Sequence, residues 1–325
     1  MTEIPQQPQP FAVIHGEEPL PPALTGAVIA IGNFDGVHRG HRAVIAAARS
    51  RARTLGRPAA ALTFEPHPRS FFRPQEPLFR LTDEHAKLRL FAATGLTGAI
   101  VLTFDAALAE PAPESFVDDV LLQRLGISGA AVGFDFRFGR QRAGTPDLLS
   151  AQGRLRNFTV DVVPAVEVDG QRISSGVIRE ALVAGRIEEA NELLGYPWFV
   201  SGKVVHGDKR GRELGYPTAN IRLDPACGLR HGIYAVRVGV GDRRYDGVAS
   251  FGRRPMFDTG AVLLEVFLFD FAGDLYGQTI DVAFIDWIRE ERMFDSADAL
   301  IAQMQDDSRI AREALARSGD KFPPI

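Results

Sequence analysis

Cysteine is almost absent: Cys227 stands alone among 325 residues. No intrachain disulfide can form, and a reducing, cytoplasmic setting is the natural expectation. A lone thiol would need a neighbouring base to act as a nucleophile, and the sequence identifies none. A surplus of charge is lacking too. Lys and Arg number 37 against 41 Asp and Glu, a net charge of -4, so nothing favours nonspecific nucleic-acid binding. There is no long apolar run either. The opening residues, MTEIPQQPQP, are polar and proline-rich. They read as a flexible tail over residues 1–20, neither signal peptide nor membrane span. What remains is a globular chain, 45% hydrophobic and 24% charged, long enough for two domains.

The most informative stretch runs from Ala27 to His41, AVIAIGNFDGVHRGH. Its first five residues are short and apolar, as a buried parallel strand requires. Gly32 and Gly36 break that strand around Asn33, Phe34 and Asp35, and residues 39–51 carry the pattern of a helix. A strand, a glycine turn and a helix N-terminus together present free N–H groups and a positive dipole end to an anion. His38 and His41 add hydrogen-bond donors, and Gly40 between them leaves a phosphate unobstructed. Singly, such histidines are surface or core residues; in this combination they read as a phosphate site. The stretch resembles the nucleotidyltransferase superfamily, whose His-x-Gly-His signature binds a nucleoside triphosphate. That resemblance implies in-line attack on an α-phosphate, with catalysis by positioning and charge stabilisation. Gly32, Phe34, Asp35, Gly36, His38 and His41 are then the expected ATP contacts.

From there to about residue 195 the pattern alternates. Strands are predicted at 59–64, 98–104, 129–133 and 159–163. Helices are predicted at 83–94, capped by Thr82, and at 113–125. Such alternation predicts an α/β Rossmann-like domain, a parallel sheet covered on both faces with ligands at its carboxyl ends. Those ends carry unusual sequences. One is the stiff loop Thr63-Phe64-Glu65-Pro66-His67-Pro68. Another is Gly133-Phe134-Asp135-Phe136-Arg137-Phe138-Gly139, which taken alone is equally an ordinary half-buried strand. Further on, Arg172-Ile173-Ser174-Ser175-Gly176-Val177-Ile178-Arg179 leads into a helix ending near Leu194. Ser174 or Ser175 would cap that helix, or these hydroxyls with Arg172 and Arg179 would reach triphosphate oxygens.

After Gly195-Tyr196-Pro197 the alternation stops. Strands follow without helices between them, at 198–206, 219–223, 232–240, 244–251, 262–269 and 279–285, which predicts an antiparallel β-barrel. A C-terminal helix over 296–317, capped by Ser296, is expected to turn Leu300, Ile301, Met304 and Ile310 inward. The switch in pattern divides the chain into domains at 21–195 and 196–325. In the second, residues 202–212 (GKVVHGDKRGR) are glycine-rich and basic, which suits a polyphosphate as well as a solvated hairpin. Gly202, Lys203, Gly207, Lys209 and Gly211 carry the first reading. Thr218 and Asn220, two apart on an extended segment, share a face and offer hard oxygen ligands to magnesium on ATP phosphates. Glu265 sits in an apolar strand, where a carboxylate needs either an ion-pair partner such as Arg289 or a role as general base.

Together these motifs resemble the prokaryotic bifunctional riboflavin kinase/FAD synthetase family. The resemblance implies two ATP sites. In the C-terminal domain riboflavin is phosphorylated to FMN, with magnesium near Thr218 and Asn220 and Glu265 as base on the ribityl hydroxyl. Arg289 and Phe294 join Glu265 as expected riboflavin contacts. In the N-terminal domain FMN, held by Phe64, His67, Asp135 and Arg137, is adenylylated to FAD with release of pyrophosphate. Gly176 stands where the family usually has threonine, Ser250 where asparagine is usual, Met256 where threonine is usual and Phe267 where histidine is usual. The partners implied are ATP, riboflavin, FMN and Mg2+, with no nucleic acid, no membrane and weak self-association at most. The rival readings are a nucleotidyltransferase for another acceptor, an aminoacyl-tRNA synthetase, and a flavin- or nucleotide-binding regulator with one inactive domain.

Overall fold

The computed structural model describes residues 10–206, 216–253 and 262–325. The chain divides into two compact units, Met1–Leu78 with Thr82–Ser174 and Ile325 in one, Phe79–Leu81 with Ser175–Pro324 in the other.

In the first unit six strands form a wholly parallel sheet. They are β1 (Ala12–His15), β2 (Val28–Ile31), β3 (Ala59–Glu65), β4 (Gly98–Thr103), β5 (Gly129–Gly133) and β6 (Thr159–Val163), in the order β1-β4-β3-β2-β5-β6. The intervening helices are α1 (Arg39–Leu55), α2 (Pro68–Phe72), α3 (Glu84–Ala93), α4 (Ala106–Ala109), α5 (Pro113–Ser115) and α6 (Pro146–Arg156). A small hairpin of β7 (Glu167–Val168) and β8 (Gln171–Arg172) follows. Every residue of β2 is buried, which explains its unbroken apolar sequence: a strand covered on both faces has no polar side. Because β3 lies on one flank of β2 and β5 on the other, the winding of the sheet reverses there. An open parallel sheet leaves its ligand crevice at such a switch point, beyond the carboxyl ends of the strands. The turn that follows β2 occupies it.

The predicted parallel sheet is therefore present, with four local differences. Residues 12–15, inside the stretch predicted as a tail, pair with β4 as its parallel edge strand. Asp83, not Thr82, caps α3, accepting from the Ala86 N–H at 2.7 Å. The predicted helix 113–125 turns to π geometry over Phe116–Arg124, because its buried Phe116, Val117 and Leu121 face the core at wider spacing. The predicted single helix ending at Leu194 is two, α7 (Ser175–Val183) and α8 (Ile187–Leu194), broken by Gly185 at φ 77°.

In the second unit, β9 (Phe199–Val205), β10 (Ala219–Leu223), β11 (Gly232–Val240), β12 (Arg243–Arg253), β13 (Val262–Leu268) and β14 (Thr279–Arg289) close an antiparallel barrel. Its order is β10-β13-β12-β11-β14-β9. Helix α8 is tied to the barrel by Asn191, whose side chain donates to the Phe284 carbonyl (2.9 Å) and accepts from the Trp198 N–H (2.7 Å). The C-terminal helix, α9 (Ala297–Ser318), is capped by Ser296 as predicted. Its buried face is not the predicted one. Asp307, Ala311, Ala314 and Leu315 are buried, whereas Leu300, Ile301, Met304 and Ile310 are half-buried. Small alanines let the helix lie close to Ala235, Phe269 and Ile285 on the barrel, which larger side chains would hold away.

Candidate active sites

In the first unit the residues after β2 form a tight, mostly inward-facing turn. Phe34 (φ 51°), Gly36 (φ 84°) and Val37 (φ 34°) all take left-handed backbone conformations. The Phe34 ring is buried, edge-on to Phe91 at 5.4 Å and to the His41 imidazole at 5.3 Å. A Cβ on Gly32 would come within 3.2 Å of that ring, so this glycine makes room for Phe34. Asp35 is buried as well. Its carboxylate accepts from the Thr82 N–H at 3.1 Å, while Thr82 Oγ1 accepts from the Gly36 N–H at 3.0 Å. Phe34 and Asp35, predicted as ATP contacts, therefore spend their side chains on shaping the turn.

The two histidines are brought together at the N-terminus of α1. His38 is the capping residue, and its Nδ1 accepts from the His41 N–H at 3.2 Å. That bond leaves the proton of a neutral His38 on Nε2. The two rings stack with centroids 3.5 Å apart and planes 16° from parallel. Gly40 is needed for this stack: a Cβ there would sit 3.2 Å from His38 Cε1 and Nδ1. Burial, then the neighbouring His38, then Lys87 push the His41 pKa well below the ordinary histidine value. His41 is thus neutral at pH 7, and its buried Nδ1 has no hydrogen-bond partner among the described residues. Stacked on His38 at the helix N-terminus, where the first amides are free, a neutral His41 can donate to phosphate oxygens without itself adding a buried charge.

Lys87 was not singled out in the sequence. It projects from α3 with a side chain only 1% exposed. Its Nζ donates to Glu65 Oε1 (2.8 Å), Thr63 Oγ1 (3.1 Å) and the Asn33 carbonyl (3.4 Å).

Around the same carboxyl ends lie the predicted FMN residues. Phe64 is buried and meets Phe104 edge-on at 5.9 Å. Phe104 in turn packs against Phe71 and against Phe72, which is 61% exposed. His67 caps α2, its Nδ1 accepting from the Arg69 N–H at 3.1 Å. Asp135 pairs with Arg172 at 2.6 Å, and the Arg172 guanidinium lies 4.2 Å from the Phe134 ring centroid. One charged pair thus joins a residue predicted for FMN to one predicted for ATP. Arg137 donates to its neighbour's carbonyl, Phe136 O. Ser174 ends the first unit, and Ser175 and Arg179 stand in α7 of the second. There the Arg179 Nε donates to the Phe79 carbonyl at 2.6 Å.

In the second unit the register of the barrel assembles the other site. Glu265 on β13 lies directly across from Asn220 on β10 and from Ser250 on β12. The strand alternates, with Val262, Leu264, Val266 and Leu268 buried and Glu265 on the half-buried face with Leu263 and Phe267. Asn220 Nδ2 donates to the Thr218 carbonyl at 3.3 Å, which leaves Oδ1, buried and unpartnered among the described residues, as a free hard acceptor. The buried ion pair weighed for Glu265 exists with another carboxylate. Arg289 binds Asp307 through Nε (2.7 Å) and Nη2 (2.6 Å), with Phe294 5.9 Å from its guanidinium carbon. Asp307 was missed by sequence reading, and Glu291 was given no role of its own. Glu291 Oε1 accepts from Ser250 Oγ at 3.4 Å, and a Cβ on Gly252 would strike the same carboxylate. Gly202 packs on β10, where a Cβ would collide with Ile221 at 2.2 Å. Lys203 lies across from Thr279. Gly207, Lys209 and Gly211, like Met256, lie outside the described residues.

Comparison with known proteins divides the chain in the same two directions. The family model for FAD synthetase matches residues 20–177 and that for riboflavin kinase matches residues 194–315. The bifunctional riboflavin kinase/FMN adenylyltransferase of Pseudomonas fluorescens is 41% identical over 95% of this chain and 99% of its own length. That of Escherichia coli strain K12 is 40% identical over 89% of this chain and 92% of its own. A Streptococcus pneumoniae crystal structure titled as a macrolide-efflux protein superposes with a TM-score of 0.83 at 32% identity, covering 92% of this chain and 98% of that one.

Proposed function

This chain belongs to the bifunctional riboflavin kinase/FMN adenylyltransferase family, with the FAD synthetase domain N-terminal and the flavokinase domain C-terminal, and from that premise we propose how its own residues perform the two reactions. The activity boundary lies at 195/196, with a non-catalytic segment before residue 21, and the enzyme works in the cytoplasm on small molecules alone, ATP, riboflavin and FMN. The efflux named in the streptococcal title is no part of this reading; among the described residues no helix is long and apolar enough to cross a membrane.

The observation that carries most is the cross-strand pair of Asn220 and Glu265. It sets a neutral oxygen ligand beside a carboxylate on one face of the barrel. The donor set fits magnesium, since Asn220 Oδ1 is a buried, hard and unpartnered oxygen. Asn220 and Thr218 would hold the ion, which when bound supplies charge neutralisation on the ATP phosphates. Glu265 takes the proton of the ribityl 5′-hydroxyl as that oxygen bonds to the γ-phosphorus, and the bond from γ-phosphorus to ADP breaks. Arg289, braced by Asp307, lines the flavin side with Phe294. Gly202, Lys203, Gly207, Lys209 and Gly211 cradle the triphosphate.

In the N-terminal domain the amides of residues 32–36 and the start of α1 receive the triphosphate of a second ATP. An FMN phosphate oxygen bonds to the α-phosphorus, and the bond to the β-phosphate oxygen breaks to release pyrophosphate. His38 donates through Nε2 because its Nδ1 is engaged by the helix amide, and His41 donates beside it as a neutral ring. Phe64, His67, Asp135 and Arg137 border the FMN, and Arg172 and Ser174 complete the phosphate contacts.

Incubating the purified full-length protein with riboflavin, magnesium and ATP, then separating flavins by chromatography, tests both halves. FMN and FAD are both expected. FMN without FAD would sink the adenylyltransferase assignment, and no FMN would sink the kinase assignment.

A further inference from the structure

Lys87 has no counterpart among the residues with a chemical assignment, yet it is among the largest fully buried side chains of the chain. A lysine loses several kcal/mol of hydration on burial, so it persists only where its charge is matched and used. The three acceptors named above come from two different elements. Asn33 belongs to the turn after β2, while Thr63 and Glu65 close the carboxyl end of β3. The next residue after Asn33 is Phe34, whose ring carries the edge of His41.

We propose that Lys87 is a positioning residue for adenylyl transfer: from α3 it staples the phosphate-binding turn to the end of β3 and keeps a fixed positive charge beneath the stacked histidines. The proposal rests on the assignment of His38 and His41 to that reaction. It makes Lys87 and Glu65 a tuned pair rather than an incidental ion pair. Lys87 opposes a second positive charge on His41, and Glu65 limits how strongly it does so. Against His41 lie the rings of His38, from its own helix, and Phe34, from the turn; Lys87 acts on it from α3, with Glu65 bound to Lys87 on β3. Among these, burial, His38 and Lys87 in that order hold the imidazole neutral.

The electrostatic and structural readings separate because they predict different signs. Removing the cation (Lys87→Met) relieves the repulsion and raises the His41 titration midpoint. Removing the anion (Glu65→Gln) leaves the Lys87 charge less balanced and lowers it. Mere loosening of the turn would let water in and raise both.

The measurement is histidine ring NMR on the full-length, unliganded protein labelled at histidine, with the His41 resonance assigned by its loss in His41→Gln. The acid limb of kcat/KM for FAD formation is followed in parallel. Opposite shifts in the two variants, with Lys87→Arg close to wild type, are expected. Shifts of the same sign, or none, would overturn the proposal. Should Lys87→Met fail to fold, as judged by circular dichroism, Glu65→Gln alone decides by the direction of its shift. Failure of the underlying assignment reads differently, since His41→Gln would then form FAD at the wild-type rate whatever the titration in the Lys87 and Glu65 variants shows.

Discussion

Asp307→Ala should cost the second unit about 3 kcal/mol. Asp307 is buried on α9 and accepts two parallel hydrogen bonds from Arg289, with a third from Gln303 Nε2 at 3.0 Å. Truncating it strips the guanidinium of its partner at Nε and Nη2, leaving only the bond from Nη1 to the Glu290 carbonyl. Breaking one side of a buried pair costs roughly 3–5 kcal/mol, and water reaching the 14% exposed Arg289 side chain places this case at the low end. Replacing both partners together, Arg289→Met with Asp307→Leu, removes the stranded charge and should recover most of the loss. Both tryptophans of the chain, Trp198 and Trp287, lie in this unit, so urea unfolding followed by tryptophan fluorescence reports it selectively. Riboflavin KM should rise in the single variant, because Arg289 is the flavin-side residue that Asp307 holds. A loss below about 1 kcal/mol, the scale of an exposed pair, would refute the reasoning. So would a double variant no more stable than Asp307→Ala.

The remaining expectations address the two reactions and the folded state. Glu265→Gln should lower kcat for FMN formation by about 10²–10⁴, the range for losing a general base, while FAD synthesis from supplied FMN survives; loss of both would make Glu265 structural. His41→Ala should do the reverse, and unimpaired FAD formation would remove the histidine from the mechanism. Gly40→Ala pushes a methyl group toward the His38 ring and should cost roughly threefold to a hundredfold in FAD formation without changing the thermal midpoint; an unchanged rate would show that the stack is dispensable. His41 binds its proton more weakly folded than unfolded, so the unfolded chain takes up more protons as pH falls below about 6.5. Stability of the first unit should therefore decline with acid through that window, and His41→Gln should flatten the decline in a pH series of thermal melts. Burial pushes the Cys227 thiol up to about 11, so alkylation at pH 8 should proceed through roughly one thiolate in a thousand molecules and be far slower than for a free thiol. Rapid labelling of folded protein would contradict the burial.

What could be read beforehand was whatever is written locally along the chain. The apolar runs of β2, β4 and β5 and the glycine turn into α1 declare themselves within a few residues, as does the alternation of β13. The charges that support the sites do not. Lys87 looks like a solvated helix residue until α3 is laid against residues 54 and 22 positions away, and Asp307 looks like one more polar position on α9. Arg172 and Asp135 meet across 37 positions, which no periodicity encodes. The break at Gly185 was legible in principle, since glycine in a helix favours an end, but a continuous apolar pattern on both sides masked it. Strand β1 was hidden by its brevity and by the prolines before it; four residues carry too little alternation to be told from a tail.

That short strand has a practical consequence. A parallel sheet, unlike the closed barrel beside it in sequence, has two borders, and β1 is one of them. Behind it lies β4, whose sequence GAIVLT is apolar and β-branched and would be a ready template for other chains if its amides were bare. Ala12–His15 occupies those amides, and the His15 ring is tied to Glu84 at 2.7 Å on the solvent side. The fit is close, for a Cβ on Gly98 would strike the Ala12 carbonyl at 2.3 Å. Expression vectors that trim this segment would therefore unmask a self-complementary border. Aggregation on storage, rather than lost catalysis, is the symptom to watch for.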